Sequence, residues 1–138
     1  MKMKKNIIIA AIALAASCIS GYAQEKLSNG LELDKAVHNF GDVMLADGPV
    51  TCEFTLTNKG KSPAVIYNVT TTCGCTDVEW TREPIRPGAK GKISVTYSND
   101  EGPYPFDKSV TVYLSDMKKP IILKLRGVSM EEKKPLAE

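Results

Sequence analysis

Along most of this chain, apolar and polar side chains alternate with a period of two residues. In the segment 50–58 the apolar side chains all fall on one side of an extended backbone: Val50, Cys52, Phe54 and Leu56. Similar alternation recurs in three later segments, 92–98, 109–115 and 121–126. A period of two is that of a β-strand with one buried face, whereas a helix repeats every 3.6 residues. The pattern therefore predicts an all-β fold.

Three less regular segments, 31–40, 64–71 and 76–80, bring the number of predicted strands to about seven. Residues typical of turns separate them, since glycine supplies positive φ and proline fixes a corner. Short strands without intervening helices predict one antiparallel β-sandwich over residues 31–129. We expect residues 24–30 to form a polar lead-in and residues 130–138 to form a charged flexible tail.

The amino terminus has the parts of an export signal. Lys2, Lys4 and Lys5 precede an uninterrupted apolar run at 7–16. Small residues follow at positions 21 and 23, which predicts a signal peptide over residues 1–23, cleavage before Gln24 and a periplasmic or secreted protein. The apolar run is too short for a helix that spans a bilayer, which needs about 20 apolar residues. We expect no transmembrane helix in the mature chain.

Cys18 offers an alternative interpretation of this signal. The sequence Ala15-Ala16-Ser17-Cys18 resembles a bacterial lipobox, in which the cysteine is lipidated and becomes the first mature residue. A lipobox usually has Leu, Ile or Val at the position of Ala15. A lipid-anchored form that begins at Cys18 is therefore the alternative to a free form that begins at Gln24.

Composition and charge exclude several classes of protein. Of the 138 residues, 43% are hydrophobic and 25% are charged, which is ordinary for a folded domain and unlike a disordered chain. The chain has 18 basic and 16 acidic residues, and removal of the signal leaves 15 basic residues. Nucleic-acid binding by counterion release needs a basic excess or patch, so we expect no nucleic-acid partner.

Several short motifs occur in a characteristic order: Phe40-Gly41-Asp42-Val43, Phe54 to Gly60, Cys73-Gly74-Cys75-Thr76, Ile85-Arg86-Pro87-Gly88 and Lys108 to Val112. Over roughly Leu33 to Val128 this series resembles the bacterial family named domain of unknown function 1573, related to immunoglobulin-like domains of the ASPM, SPD-2 and Hydin type. The resemblance implies an immunoglobulin-like β-sandwich in an exported bacterial protein. It implies no established activity.

The mature chain has three cysteines, Cys52, Cys73 and Cys75. Cys73 and Cys75 are two residues apart, so in extended backbone their sulfurs project to the same side. In an oxidising compartment they could close a small, strained disulfide, and when reduced they could bind Cu(I), which prefers thiolates. In a purely structural role they pin the connection between two strands. Cys52 lies on an inward face, which predicts a buried thiol, with pairing to the Cys-Gly-Cys segment as the alternative.

Motifs of known catalytic chemistry are missing from the sequence. It contains no Gly-x-Ser-x-Gly, no His-Glu-x-x-His and no phosphate-binding glycine loop. A closed zinc site needs four ligands, whereas the mature chain has three thiols and one imidazole, His38. Asp77 and Glu79 are expected to be solvated carboxylates. We therefore predict no enzyme activity, no catalytic residue and no cofactor, with Cu(I) at the cysteine pair as the alternative.

Three aromatic residues are candidates for a binding interface: Trp80, Tyr104 and Phe106. Partly exposed aromatic side chains are common anchors at interfaces, although Trp80 could instead cover the core. These features predict an exported, non-catalytic binding or structural module of the bacterial cell envelope, with a protein or glycan partner. The alternative is a periplasmic thiol protein that uses Cys73 and Cys75 in redox exchange or in Cu(I) binding.

Overall fold

The computed structural model describes residues 25–131. Within this range the chain forms nine strands: β1 (Glu25–Lys26), β2 (Leu31–Leu33), β3 (Val37–Met44), β4 (Val50–Asn58), β5 (Ile66–Thr71), β6 (Thr76–Trp80), β7 (Lys90–Tyr97), β8 (Pro105–Leu114) and β9 (Ile121–Met130). Two short 3-10 helices, Ser28–Gly30 and Leu45–Asp47, lie between strands. The predicted signal peptide and residues 132–138 of the predicted tail lie outside the described residues.

The strands form two sheets, which confirms the prediction of an all-β sandwich. One sheet has the order β1-β2-β4-β7-β6 and the other has the order β3-β9-β8-β5. The alternating apolar residues of the central strands face inward and are fully buried, among them Phe54, Leu56, Ile93, Val95, Val110, Val112, Leu123 and Leu125. Burial of each such side chain contributes roughly 1.5–3 kcal/mol, so the period-two pattern supplies the core.

The amino-terminal strands differ from the prediction of about seven antiparallel strands. The segment 31–40 contains two strands, because the chain leaves the first sheet at Asp34. One carboxylate oxygen of Asp34 accepts hydrogen bonds from the backbone N–H groups of Lys35 (2.8 Å) and Thr55 (2.9 Å). The next strand, β3, then joins the other sheet, where it pairs with β9 in parallel. A further short strand, β1, lies in the predicted polar lead-in and pairs with β2.

The end of the sandwich where β6 begins brings two connections together. The strands β5 and β6 are the outer strands of the two sheets, and residues 72–75 connect them. At the same end, β7 continues into the loop 98–104, which leads to β8 in the other sheet. We call these two connections together the disulfide end.

The described residues also bear on the membrane prediction. Within 25–131, no helix is long and apolar enough to cross a bilayer.

Candidate functional site

Cys73 and Cys75 are joined by a disulfide in the connection between the two sheets. Their Cα atoms are 5.2 Å apart, and both residues are partly exposed. The hydroxyl of Thr71 donates a hydrogen bond to the carbonyl of Cys73 (3.0 Å), and the N–H of Ser98 donates one to the carbonyl of Cys75 (2.8 Å). The cysteine pair is therefore attached both to the end of β5 and to the residue that follows β7.

Glu101 lies beside the disulfide and is held by two donors. One of its carboxylate oxygens, Oε2, accepts a hydrogen bond from the hydroxyl of Tyr97 (2.8 Å). The same oxygen forms an ion pair with Lys108 Nζ, at 2.7 Å. The other, Oε1, lies 3.8 Å from Cys73 Sγ. The two sulfurs and a carboxylate oxygen of Glu101 all lie within 4.8 Å of one another. Among residues 25–131, these three side chains form the one cluster whose ligand atoms are close enough together to hold a metal ion.

The contacts of Glu101 shift two pKa values. Hydrogen bonding from Lys108, and then from Tyr97, lowers the pKa of the Glu101 carboxyl, so the group stays ionised. Burial raises the pKa of the Tyr97 hydroxyl to about 12, and its hydrogen bond to the Glu101 carboxylate acts in the same direction. Tyr97 is therefore a neutral donor to Glu101 at any physiological pH.

A buried amide, that of Asn99, fixes the loop that carries Glu101. The backbone of Asn99 has a φ of 56°, and its side chain is buried. Its Nδ2 donates to the carbonyls of Met44 (2.9 Å) and Gly48 (3.0 Å), and its Oδ1 accepts a hydrogen bond from the hydroxyl of Ser129 (2.6 Å). The sequence indicated a turn here, but nothing local in it indicated this network, because the partners lie in two distant segments, at 44–48 and at Ser129.

A groove lies next to the disulfide. Its volume is about 390 Å³, and its lining consists of Tyr97, Glu101, Gly102, Tyr104, Pro105, Phe106, Asp107 and Lys108. Tyr104 is 63% exposed at this groove, in agreement with the exposure predicted from the sequence. A second cavity of about 430 Å³ is lined by residues of the opposite end of the sandwich, such as Lys61 and Asp116. The groove at the disulfide end thus combines an exposed aromatic ring with charged groups.

Phe106 is buried, so its expected exposure at an interface is wrong. It is only 7% exposed, and its ring stacks on that of Tyr97 with centroids 4.2 Å apart. Phe106 follows the proline that begins β8, and it lies before the segment 109–115 in which the alternation predicted a strand. The strand in fact begins at Pro105, a position that proline tolerates, so the inward face of β8 includes Phe106.

Trp80 is the last residue of the outer strand β6, and its side chain is partly exposed. Its ring is partly buried against the core, and the guanidinium of Arg82 stacks on it, 3.6 Å from the ring centroid. Its indole nitrogen is buried and has no hydrogen-bond partner within the described residues. Trp80 therefore covers the core from one side and carries a cationic group on the other. Asp77 and Glu79, on the same strand, are exposed.

Cys52 and His38 both lie outside the cluster of cysteines and carboxylate. Cys52 is a free, buried thiol, and burial raises its pKa to about 11. The imidazole Nδ1 of His38 is 2.9 Å from Lys35 Nζ. Burial and the nearby Lys35 ammonium lower the pKa of His38, which keeps the ring neutral. The ring packs edge-on against Phe40, with centroids 4.5 Å apart.

The burial of Cys52 predicts an unreactive thiol in the folded protein. At pH 8 a thiol with a pKa of about 11 is ionised in about one molecule in a thousand, and the thiolate is the reactive form. We expect the processed, non-reduced protein to incorporate no iodoacetamide when folded and one equivalent when unfolded in urea. Cys52→Ala should abolish the second signal. Rapid labelling of Cys52 in the folded protein would contradict this burial.

The chain is thus a β-sandwich domain with a disulfide inside one of the connections between its two sheets. The chain belongs to the family described as "Protein of unknown function (DUF1573)", whose model matches residues 31–129. This match confirms the family that the motif order suggested. Comparison with curated proteins gives no match.

Solved structures with a similar fold come from different organisms. A protein of unknown function from Porphyromonas gingivalis W83 is 18% identical, with a TM-score of 0.61 over 74% of this chain and 49% of that chain. The secreted serine protease VesC from Vibrio cholerae is 15% identical, with a TM-score of 0.58 over 75% of this chain and 24% of that chain. WR4, an MSP family member of C. elegans, is 13% identical, with a TM-score of 0.54 over 72% of this chain and 99% of that chain. At these identities the likeness shows the fold alone.

Proposed function

We propose that this protein is an exported, non-catalytic module of the bacterial cell envelope that binds a protein or glycan partner through its disulfide end. The observation that carries the proposal is the placement of Tyr104, 63% exposed, at a groove of about 390 Å³. Exposed tyrosines supply large contact area at low cost in conformational entropy and anchor many interfaces. Binding sites also lie preferentially on loops that a rigid scaffold positions.

The loops of this surface are held in place before any partner binds. The disulfide constrains the connection 72–75, and the N–H of Ser98, just after β7, donates a hydrogen bond to the carbonyl of Cys75 in that connection. The side chain of Asn99 bonds the loop 98–104 to the segment 44–48 and to Ser129. A preorganised surface loses less conformational entropy on binding than a mobile one. This arrangement supports recognition by the loops.

Export to the envelope follows from the predicted signal peptide. A disulfide between Cys73 and Cys75 suits an oxidising compartment. A similar fold occurs within VesC, which is described as a secreted protease, and it matches only 24% of that chain. Both observations support an exported accessory module. The mass of the mature chain distinguishes a first residue at Gln24 from a lipidated Cys18.

A matched pair of tyrosine variants tests the proposed surface. Tyr104 and Tyr67 are both 63% exposed, but Tyr67 lies on β5, away from the groove lining. We expect Tyr104→Ala to lower the affinity for the bound envelope component at least tenfold, which is the size of a moderate interface hot spot. Tyr67→Ala should leave the affinity unchanged. The measurement is binding of the immobilised mature protein to solubilised envelope proteins and, separately, to purified cell-wall glycan.

The outcome of this comparison decides the proposal. Selective loss with Tyr104→Ala in one of the two assays supports it and identifies the partner as protein or glycan. Equal loss with both variants, or no loss with either, would mean that the groove is not the binding surface.

A second candidate function is that of a periplasmic thiol protein. The observation that favours it is the partial exposure of the disulfide beside two charged groups, Glu101 and Lys108. A dithiol partner could transfer two electrons to this bond and become oxidised to its own disulfide. Access to a sulfur is the condition for such exchange, and partial exposure meets it.

A further inference from the structure

We propose that, when the disulfide is reduced, Cys73, Cys75 and Glu101 together bind a divalent metal ion of the Zn²⁺ class. The proposal rests on the second candidate function, because the two thiolates exist only after reduction. It adds to that function a third ligand, Glu101, which lies 26 positions after Cys75 and 28 after Cys73. It also assigns a metal that differs from Cu(I) in charge and in ligand preference.

The geometry of the three ligand atoms fits such an ion. In a tetrahedral zinc site, with Zn–S near 2.3 Å and Zn–O near 2.0–2.2 Å, neighbouring ligand atoms lie roughly 3.5–3.8 Å apart. Glu101 Oε1 already lies 3.8 Å from Cys73 Sγ, and the three ligand atoms lie within 4.8 Å of one another. Opening of the disulfide lets the two sulfurs move apart. The fourth position would be taken by water, as in open zinc sites.

The residues around Glu101 orient its carboxylate toward the sulfurs. Tyr97 and Lys108 both contact Oε2, so Oε1 is left free on the side of Cys73. Hydrogen bonds from outer residues commonly fix metal-binding carboxylates in this way. Tyr97 and Lys108 are therefore positioning residues for the third ligand.

Charge favours a divalent ion over Cu(I). Two thiolates and the Glu101 carboxylate carry three negative charges, and the Lys108 ammonium offsets one of them. A divalent ion brings the site to neutrality, whereas Cu(I) would leave one negative charge. Cu(I) also prefers sulfur ligands, whereas zinc accepts both sulfur and carboxylate oxygen. A carboxylate next to the thiolates therefore points to the zinc class.

The metal site and the disulfide exclude each other. A dithiol reductant supplies two electrons and two protons, cleaves the bond between Cys73 and Cys75, and is itself oxidised to a disulfide. Binding of Zn²⁺ then releases the two thiol protons, because the ligands are thiolates. A disulfide oxidant would accept the two electrons, and two protons from solvent, to become a dithiol; the bond between Cys73 and Cys75 would then form again and Zn²⁺ would be released. The loop 72–75 thus has an oxidised form without metal and a reduced form that holds it.

The test uses the processed protein before and after treatment with a dithiol reductant that is then removed without oxygen. Thiol counting reports reduction, and Zn²⁺ is titrated in competition with a chromophoric chelator. We expect one Zn²⁺ per reduced chain and none per oxidised chain. Co²⁺ should give thiolate-to-metal absorption in the reduced form. Glu101→Gln should weaken Zn²⁺ binding at least about tenfold, and Tyr97→Phe should weaken it about tenfold.

Three controls separate this site from adventitious binding. Asp100→Asn removes a neighbouring carboxylate that bonds to Ser98 and lies outside the cluster, so Zn²⁺ affinity should not change. Cys52→Ala should retain the one-to-one stoichiometry. Cu(I) affinity should be insensitive to Glu101→Gln. Circular dichroism and thermal unfolding confirm that each variant is folded.

Two results would overturn the proposal in different ways. If the folded protein resists the reductant, the thiol function fails and the metal site fails with it. If the thiols are counted as reduced and Zn²⁺ does not bind, or binds equally to Glu101→Gln, the metal site fails and the thiol function stands. Neither result bears on binding at Tyr104.

Discussion

Replacing Asn99 with alanine is expected to lower the free energy of unfolding by about 3–4 kcal/mol. The substitution leaves the carbonyls of Met44 and Gly48 and the hydroxyl of Ser129 without their partner. Each lost hydrogen bond costs about 1 kcal/mol, because the Ser129 hydroxyl stays buried and the carbonyls of Met44 and Gly48 stay partly buried. Alanine also tolerates the φ of 56° less well than asparagine, which adds up to about 1 kcal/mol. Urea denaturation, followed by circular dichroism, measures the loss.

Two further variants separate the two causes. Asn99→Gly accepts the positive φ but lacks the amide, so we expect a loss of about 2–3 kcal/mol from the hydrogen bonds alone. Asp116→Ala is the matched backbone control, because Asp116 has a φ of 62° and is exposed. It should cost about 1 kcal/mol. If Asn99→Ala were no worse than Asp116→Ala, the buried network would not stabilise the disulfide end.

Truncation of Phe106 to alanine is expected to destabilise the protein by about 3–4 kcal/mol. Phe106 is 7% exposed, and its ring stacks on Tyr97, so the substitution opens a cavity next to a buried aromatic ring. The lost aromatic pair contributes about 0.5–1.5 kcal/mol of this total. Because the same cavity borders the groove, the loop 98–104 should also exchange its amide hydrogens faster. The measurements are urea denaturation and hydrogen exchange.

Tyr104→Ala is the control for this prediction. Tyr104 is two residues away but 63% exposed, so its truncation should change stability by no more than about 0.5 kcal/mol. The two aromatics should therefore have opposite profiles, with Phe106 affecting stability and Tyr104 affecting binding. If Phe106→Ala kept wild-type stability but lost binding, the prediction would be contradicted and Phe106 would be an interface residue.

The alternation of side chains was sufficient to predict much of the fold. The bounds of β4 and the inward faces of β7, β8 and β9 follow from it, because steric and solvation preferences act between neighbours in the chain. The inward position of Cys52 follows in the same way. The order of short motifs was sufficient to identify the family.

The candidate site could be predicted only in part. The spacing of Cys73 and Cys75 indicated paired sulfurs, and Tyr104 was expected to be exposed. Glu101 was not expected beside them, because it lies 26 positions after Cys75 and no local pattern relates the two. Its approach depends on β7 and β6 being paired, which places the end of one next to the start of the other.

The central strands and the apolar side of each could be predicted from the sequence, since both depend on interactions within a few residues. The choice of neighbouring strands and of the loops that meet depends on tertiary packing. The parallel pairing of β3 with β9, the burial of Phe106 and the hydrogen bonds of Asn99 all join segments far apart in the chain. Such contacts form only when the two sheets pack, because the free energy that selects them comes from burial of the shared core.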